Sequence, residues 1–131
     1  MKHEDYVSFE QAKALKELGF DWKCETFYHL DNWCGLSHSG MSENHNMFEK
    51  CISAPTLSQA QKWLREVKGI ALNIIAHDGG QFHWESIFLP EGPEFDDFIG
   101  PDNSLFPTYE LALSAGIDEA LAFLKEQNNG K

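Results

Sequence analysis

Two runs of β-forming residues, Ile70 to His77 and Gln81 to Leu89, flank the tripeptide Asp78-Gly79-Gly80. Glycine reaches positive φ at no steric cost, so this pattern calls for a tight antiparallel hairpin and excludes an all-helical fold. Taking Gly79 and Gly80 as the loop residues pairs Leu72 with Ile87 and Ile75 with Trp84. Side chains alternate between the faces of a strand, so both faces of the hairpin then carry apolar residues. Helices can cover one of them. The other, with Ile75, Phe82, Trp84 and Phe88, is expected to be covered by the segment that follows or by another chain.

Three helices are marked at their ends. Ser8 with Gln11 forms a capping box, Val7 can staple to Ala12, Gly19 stands at the C′ position and Phe20 can fold back as the C″ contact. These signals predict a helix over 9–18 with an apolar stripe of Phe9, Ala12, Leu15 and Leu18. Pro55, then Thr56 with Gln59, and finally Gly69 bracket a second helix over 57–68, its inner face Leu57, Ala60, Leu64 and Val67 with Trp63 at the edge. A third begins at Thr108 or Tyr109, buries Leu113, Ile117, Leu121 and Leu124, and frays from Gln127 onward. Its ridge of Ala112, Gly116 and Ala120 is conspicuous. Glycine inside a helix costs about 1 kcal/mol relative to alanine, so Gly116 predicts close approach of a neighbouring backbone.

The remaining segments are less regular. Residues 24–30 have strand composition, Asp31-Asn32 reads as a turn, and Trp33 onward can return as a second strand. From Ser37 to Asn46 the Ser, His, Gly and Asn content reads as a solvated loop. Residues 90–107 hold four of the five prolines together with Phe95, Phe98, Ile99, Leu105 and Phe106, and are expected to fold over the second face of the hairpin. The fold expected is one α+β domain over 1–131. In it a small antiparallel sheet, the hairpin joined by residues 24–30, carries three helices packed on one face.

Charge narrows the function classes. The net charge is −11, and between Lys68 and Lys125 there is no Lys or Arg. Asp78, Glu85, Glu91, Glu94, Asp96, Asp97, Asp102, Glu110, Asp118 and Glu119 all fall in that interval. Such a field opposes direct binding to nucleic acid and to anionic membranes, and suits either simple solubility or a basic protein partner. The first residues lack an apolar leader and no run approaches a membrane span, so a cytoplasmic location is expected. Cys24, Cys34 and Cys51, odd in number and irregularly spaced, suit reduced thiols.

No catalytic motif stands out. Cys24, His29, Cys34, His38, His45 and Cys51 are metal-ligand types, yet the run offers only Cys34-x₃-His38 and none of the paired spacings of a zinc site. A cysteine nucleophile with His77 or His83 as base has no local signature. Glu94, Asp96 and Asp97 lack the regular acidic spacing of a calcium loop, and Gly79-Gly80 precedes a strand where a phosphate loop would open a helix. The expectation is therefore no catalytic residue, no metal and no cofactor.

Tyr6-Val7-Ser8-Phe9-Glu10-Gln11-Ala12-Lys13, Leu18-Gly19-Phe20-Asp21, Ala54-Pro55-Thr56 and Gln61-Lys62-Trp63-Leu64-Arg65-Glu66 carry a likeness. So do Glu110-Leu111-Ala112-Leu113, Ala115-Gly116-Ile117 and Glu119-Ala120-Leu121. With them the chain resembles a group of small uncharacterised proteins of Bacteroidetes bacteria and their phages or prophages. The likeness runs through the helices and is poor in 31–50 and 90–107. It implies a compact α+β domain and a mobile-element context, and brings no activity or site residue. The expected function is a non-enzymatic protein-interaction module whose partner-binding residues are Phe82, Trp84, Phe88, Glu94, Asp96 and Asp97. Its partner is either a basic host protein, as for an anti-defence protein, or a second copy in a homodimer that buries Phe82, Trp84 and Phe88. A small Cys/His-dependent enzyme or metal-binding protein would require Cys24 or Cys34 to meet a histidine in a pocket.

Overall fold

Local signals at both ends fix the first helix. In the computed structural model, which describes residues 5–29, 36–48, 50–89 and 104–129, helix α1 spans Phe9–Glu17. The Gln11 amide donates to Ser8 Oγ at 3.1 Å and the Ser8 amide to Gln11 Oε1 at 2.8 Å, which completes the capping box. At the other end the Phe20 amide donates to Leu15 O at 2.9 Å and the Gly19 amide to Lys16 O at 3.1 Å, with Gly19 at φ +95°. This is a Schellman closure, and its two apolar members, Leu15 and Phe20, are both buried.

The chain divides into two compact units, Met1–Thr56 and Leu57–Lys131. In the first, strands β1 (Cys24–His29), β2 (Ser37–Glu43) and β3 (Cys51–Ser53) form an antiparallel sheet in the order β2-β1-β3. Residues 24–29 thus belong to a sheet of their own and do not extend the hairpin, contrary to expectation. The antiparallel return strand expected from Trp33 onward is present, but it lies at Ser37–Glu43, in the stretch read as loop, and that loop reading is corrected. Backbone pairing with β1, Phe27 opposite Ser37 and Thr26 opposite His38, holds this polar run extended without needing apolar side chains. A single 3₁₀ turn, His45–Met47, leads to β3. Val7, Leu15, Phe20, Tyr28 and Ile52 form the core, where the Tyr28 hydroxyl donates to Val7 O at 2.9 Å and Phe9 meets the Tyr28 ring edge-on.

The second unit contains α2 (Leu57–Val67), β4 (Ile70–His77), β5 (Gln81–Phe88) and α3 (Tyr109–Asn129). Trp63, expected at the edge of α2, is 1% exposed, whereas Val67, expected inside, is 52% exposed. Thr108 Oγ1 accepts the Leu111 amide at 3.1 Å and so caps α3, which runs helical through Asn129, past the point expected to fray.

Register is the largest revision within this unit. His77 pairs with Gln81, so the loop has three residues, with Gly79 at φ +95° and Gly80 at φ +81°. Leu72 therefore faces Ser86, Ile74 faces Trp84 and Ile75 faces His83. A slip of one residue moves a strand's side chains to the opposite face. One face now holds Ile70, Leu72 and Ile74 with Phe82, Trp84 and Phe88, while Ile75 points the other way. Helix α3 covers the first face: Phe82 meets Tyr109, Phe88 meets Phe123, and Gly116 lies on Trp84. The close neighbour that Gly116 admits is thus an indole and not a backbone. Beyond the hairpin, Phe82 and Phe106 exchange backbone hydrogen bonds of 2.9 and 2.8 Å, which brings the start of the described segment after residue 103 onto the edge of β5. Both units are α on antiparallel β, so the α+β class holds, with two small sheets. Among the described residues no helix is long and apolar enough to cross a membrane.

Candidate functional site

Of the three aromatic residues assigned to partner binding, Trp84 sits in the core of the second unit and Phe82 and Phe88 lie at its margin. Trp84 is 1% exposed, with the start of its side chain where a Cβ on Gly116 would come within 3.2–3.3 Å. Phe82 and Phe88 are half-buried beside Tyr109 and Phe123. The face expected to await a loop or a second chain is therefore largely occupied by α3. Glu94, Asp96 and Asp97 lie outside the described residues.

Among the described residues of its unit, none covers the opposite face of the hairpin. Asn73, Ile75, His77, Glu85 and Ile87 are exposed there, and His83 is half-buried among them. Ile75 and Ile87 retain 39% and 54% exposure. Across this surface runs a chain of polar contacts: His77 Nε2 is hydrogen-bonded to His83 Nδ1, and His83 Nε2 lies 2.9 Å from Glu85 Oε2. The two imidazoles are 4.7 Å apart between centroids. A carboxylate only accepts, so His83 carries a hydrogen on Nε2, and in the neutral ring Nδ1 is the acceptor for His77. No spacing rule signals this cluster. Under the two-residue loop the sequence suggested, His77 and His83 fall on opposite faces; the third loop residue brings them together.

The thiol alternative can be placed in the first unit. Cys24 and His45 do meet, yet the ring of His45 approaches the backbone oxygen of Cys24, at 3.0 Å, and not its sulfur. The same ring stacks on Phe27 at 4.5 Å, and the His45 amide donates to Ser53 Oγ at 2.9 Å. Burial pushes the Cys24 thiol up, against smaller opposing hydrogen bonds from Ser53 and Ala54. A nucleophilic cysteine needs the thiolate, which this site disfavours. Burial likewise raises the Tyr28 phenol. Cys51 is half-buried on β3, His29 stacks edge-on against Phe27, and Cys34 lies outside the described residues. Among the described residues no group of three or more His, Cys, Asp or Glu is placed to hold a metal ion.

Compared with protein-family models, with curated proteins and with solved structures, the chain matches none.

Proposed function

We propose that this chain is a non-catalytic interaction module, of the anti-defence kind carried by phages and prophages, that docks on a basic protein surface. Its carboxylates stand where the phosphates of a nucleic acid would otherwise sit. The observation that carries this reading is the charge distribution: a net charge of −11, with the whole interval between Lys68 and Lys125 free of Lys and Arg. A surface of that kind speeds encounter with a basic cleft and repels nucleic acid. The outer hairpin face supplies what a docking surface needs besides charge, since Ile75 and Ile87 give exposed apolar area beside Glu85 and the Asp78 turn. Packing of Phe82, Trp84 and Phe88 against α3 leaves less for a symmetric dimer and so favours the basic partner.

The test is capture from a nuclease-treated bacterial lysate at low and high salt, with the purified candidate then titrated directly. Wild type is compared with Glu85→Lys and with a variant in which Glu94, Asp96 and Asp97 are all Lys. A basic nucleic-acid enzyme bound by wild type, weakened by each variant and released as salt shortens the screening length, is the expected outcome. Binding that survives both charge reversal and high salt would overturn the electrostatic reading.

A further inference from the structure

The His77–His83–Glu85 chain lies on a solvent-facing strand surface, where imidazoles have other rotamers and water to bond to. Its members nonetheless converge, and the order of contacts is informative. Glu85 takes the Nε2 hydrogen of His83 at 2.9 Å, which in the neutral ring fixes the tautomer and aims the lone pair of Nδ1 at Nε2 of His77. This is the arrangement by which carboxylates orient metal-ligating histidines: the carboxylate holds one ring nitrogen, and the other is left basic and directed. His77 completes the pair by moving its own hydrogen to Nδ1, which turns its Nε2 from donor to acceptor.

We infer that His77 and His83 form a two-histidine site for a borderline divalent cation of the zinc type, with Glu85 as the positioning residue. The ion replaces the one hydrogen that the two rings share. At Zn–N distances of roughly 2.0–2.1 Å and a tetrahedral angle, the nitrogens stand about 3.3 Å apart, so the exposed His77 ring swings outward to admit the ion. Water fills the other positions. The groups facing the pair do not oppose a cation: Ile75 stands opposite His83, Gln81 opposite His77 and Asn73 opposite Glu85, while Asp78 follows His77 in the turn. Imidazole nitrogen is a ligand that zinc, copper and nickel accept readily, whereas magnesium and calcium prefer oxygen.

Zinc alone is the probe. Calorimetric titration of the full chain with Zn²⁺ is paired with ring ¹⁵N spectra of histidine-labelled protein. Wild type is expected to take up one equivalent, with the nitrogen shifts at His83 Nδ1 and His77 Nε2. His77→Ala and His83→Asn are each expected to weaken uptake at least about tenfold, and Glu85→Gln by about tenfold with the same two nitrogens still shifted. Magnesium at the same concentration leaves the spectra unchanged. Circular dichroism shows whether each variant keeps the wild-type fold. Three results would overturn the site: no uptake at millimolar Zn²⁺, uptake undiminished by His77→Ala, or shifts confined to other histidines.

Discussion

Gly116 shows how one residue's absence of side chain sets a packing distance. A Cβ at this position would lie 3.2 Å from Trp84 Cγ and 3.3 Å from its Cβ, the stiff root of a side chain that is 1% exposed. Gly116→Ala gains about 1 kcal/mol of helix propensity but requires the buried Trp84 side chain to shift, an overpacking cost of about 1–3 kcal/mol. A net loss of about 1 kcal/mol is expected in urea unfolding, with a shift in tryptophan fluorescence; a gain in stability would show that Trp84 moves freely. A second residue-scale prediction concerns alkaline pH. Burial raises both Cys24 and Tyr28, so above about pH 9 the unfolded chain loses these protons before the folded one does. Their contribution to stability is whole at neutral pH and declines as pH rises through the folded values. Urea midpoints at neutral and alkaline pH should fall accordingly, and Cys24 should resist alkylation until the chain unfolds. Gly116 was legible as a close approach, because glycine inside a helix has few other uses. The identity of its neighbour was not, because that depends on strand register.

Elements were readable where their ends carry chemistry. Ser8, Gln11, Gly19 and Phe20 specify both ends of α1, and each makes the expected backbone contact. Ser8→Ala should cost about 1 kcal/mol, seen as a lower melting temperature, because the Gln11 amide loses its acceptor. Elements defined by pairing alone were hidden. Nothing in Ser37–Glu43 is apolar in alternation, and its strand exists because β1 offers an edge. The hairpin itself was plain, but the length of its loop was ambiguous by one residue, since Asp78-Gly79-Gly80 allows two or three. That one residue decided which aromatics meet α3 and whether His77 reaches His83, so the candidate site was the part least legible in the sequence.

At the scale of the molecule, charge and chain order dominate. With a net charge of −11 the folded state repels itself, so added salt should raise the melting temperature by a few degrees; no change would mean that the carboxylates are too dispersed to interact. Chain order has a different consequence. The apolar face of β4 and β5 is covered by a helix whose last buried residue, Leu124, follows Phe88 by 36 positions. A hairpin closes in microseconds, while synthesis adds roughly 5–20 residues per second. On the ribosome, Trp84 and the β5 side of this face therefore stand bare for about 2–7 s before α3 can reach them, with only α2, already made, to pack on β4. During that interval the nascent hairpin is a client for chaperones and a seed for aggregation, and slower translation lengthens its exposure.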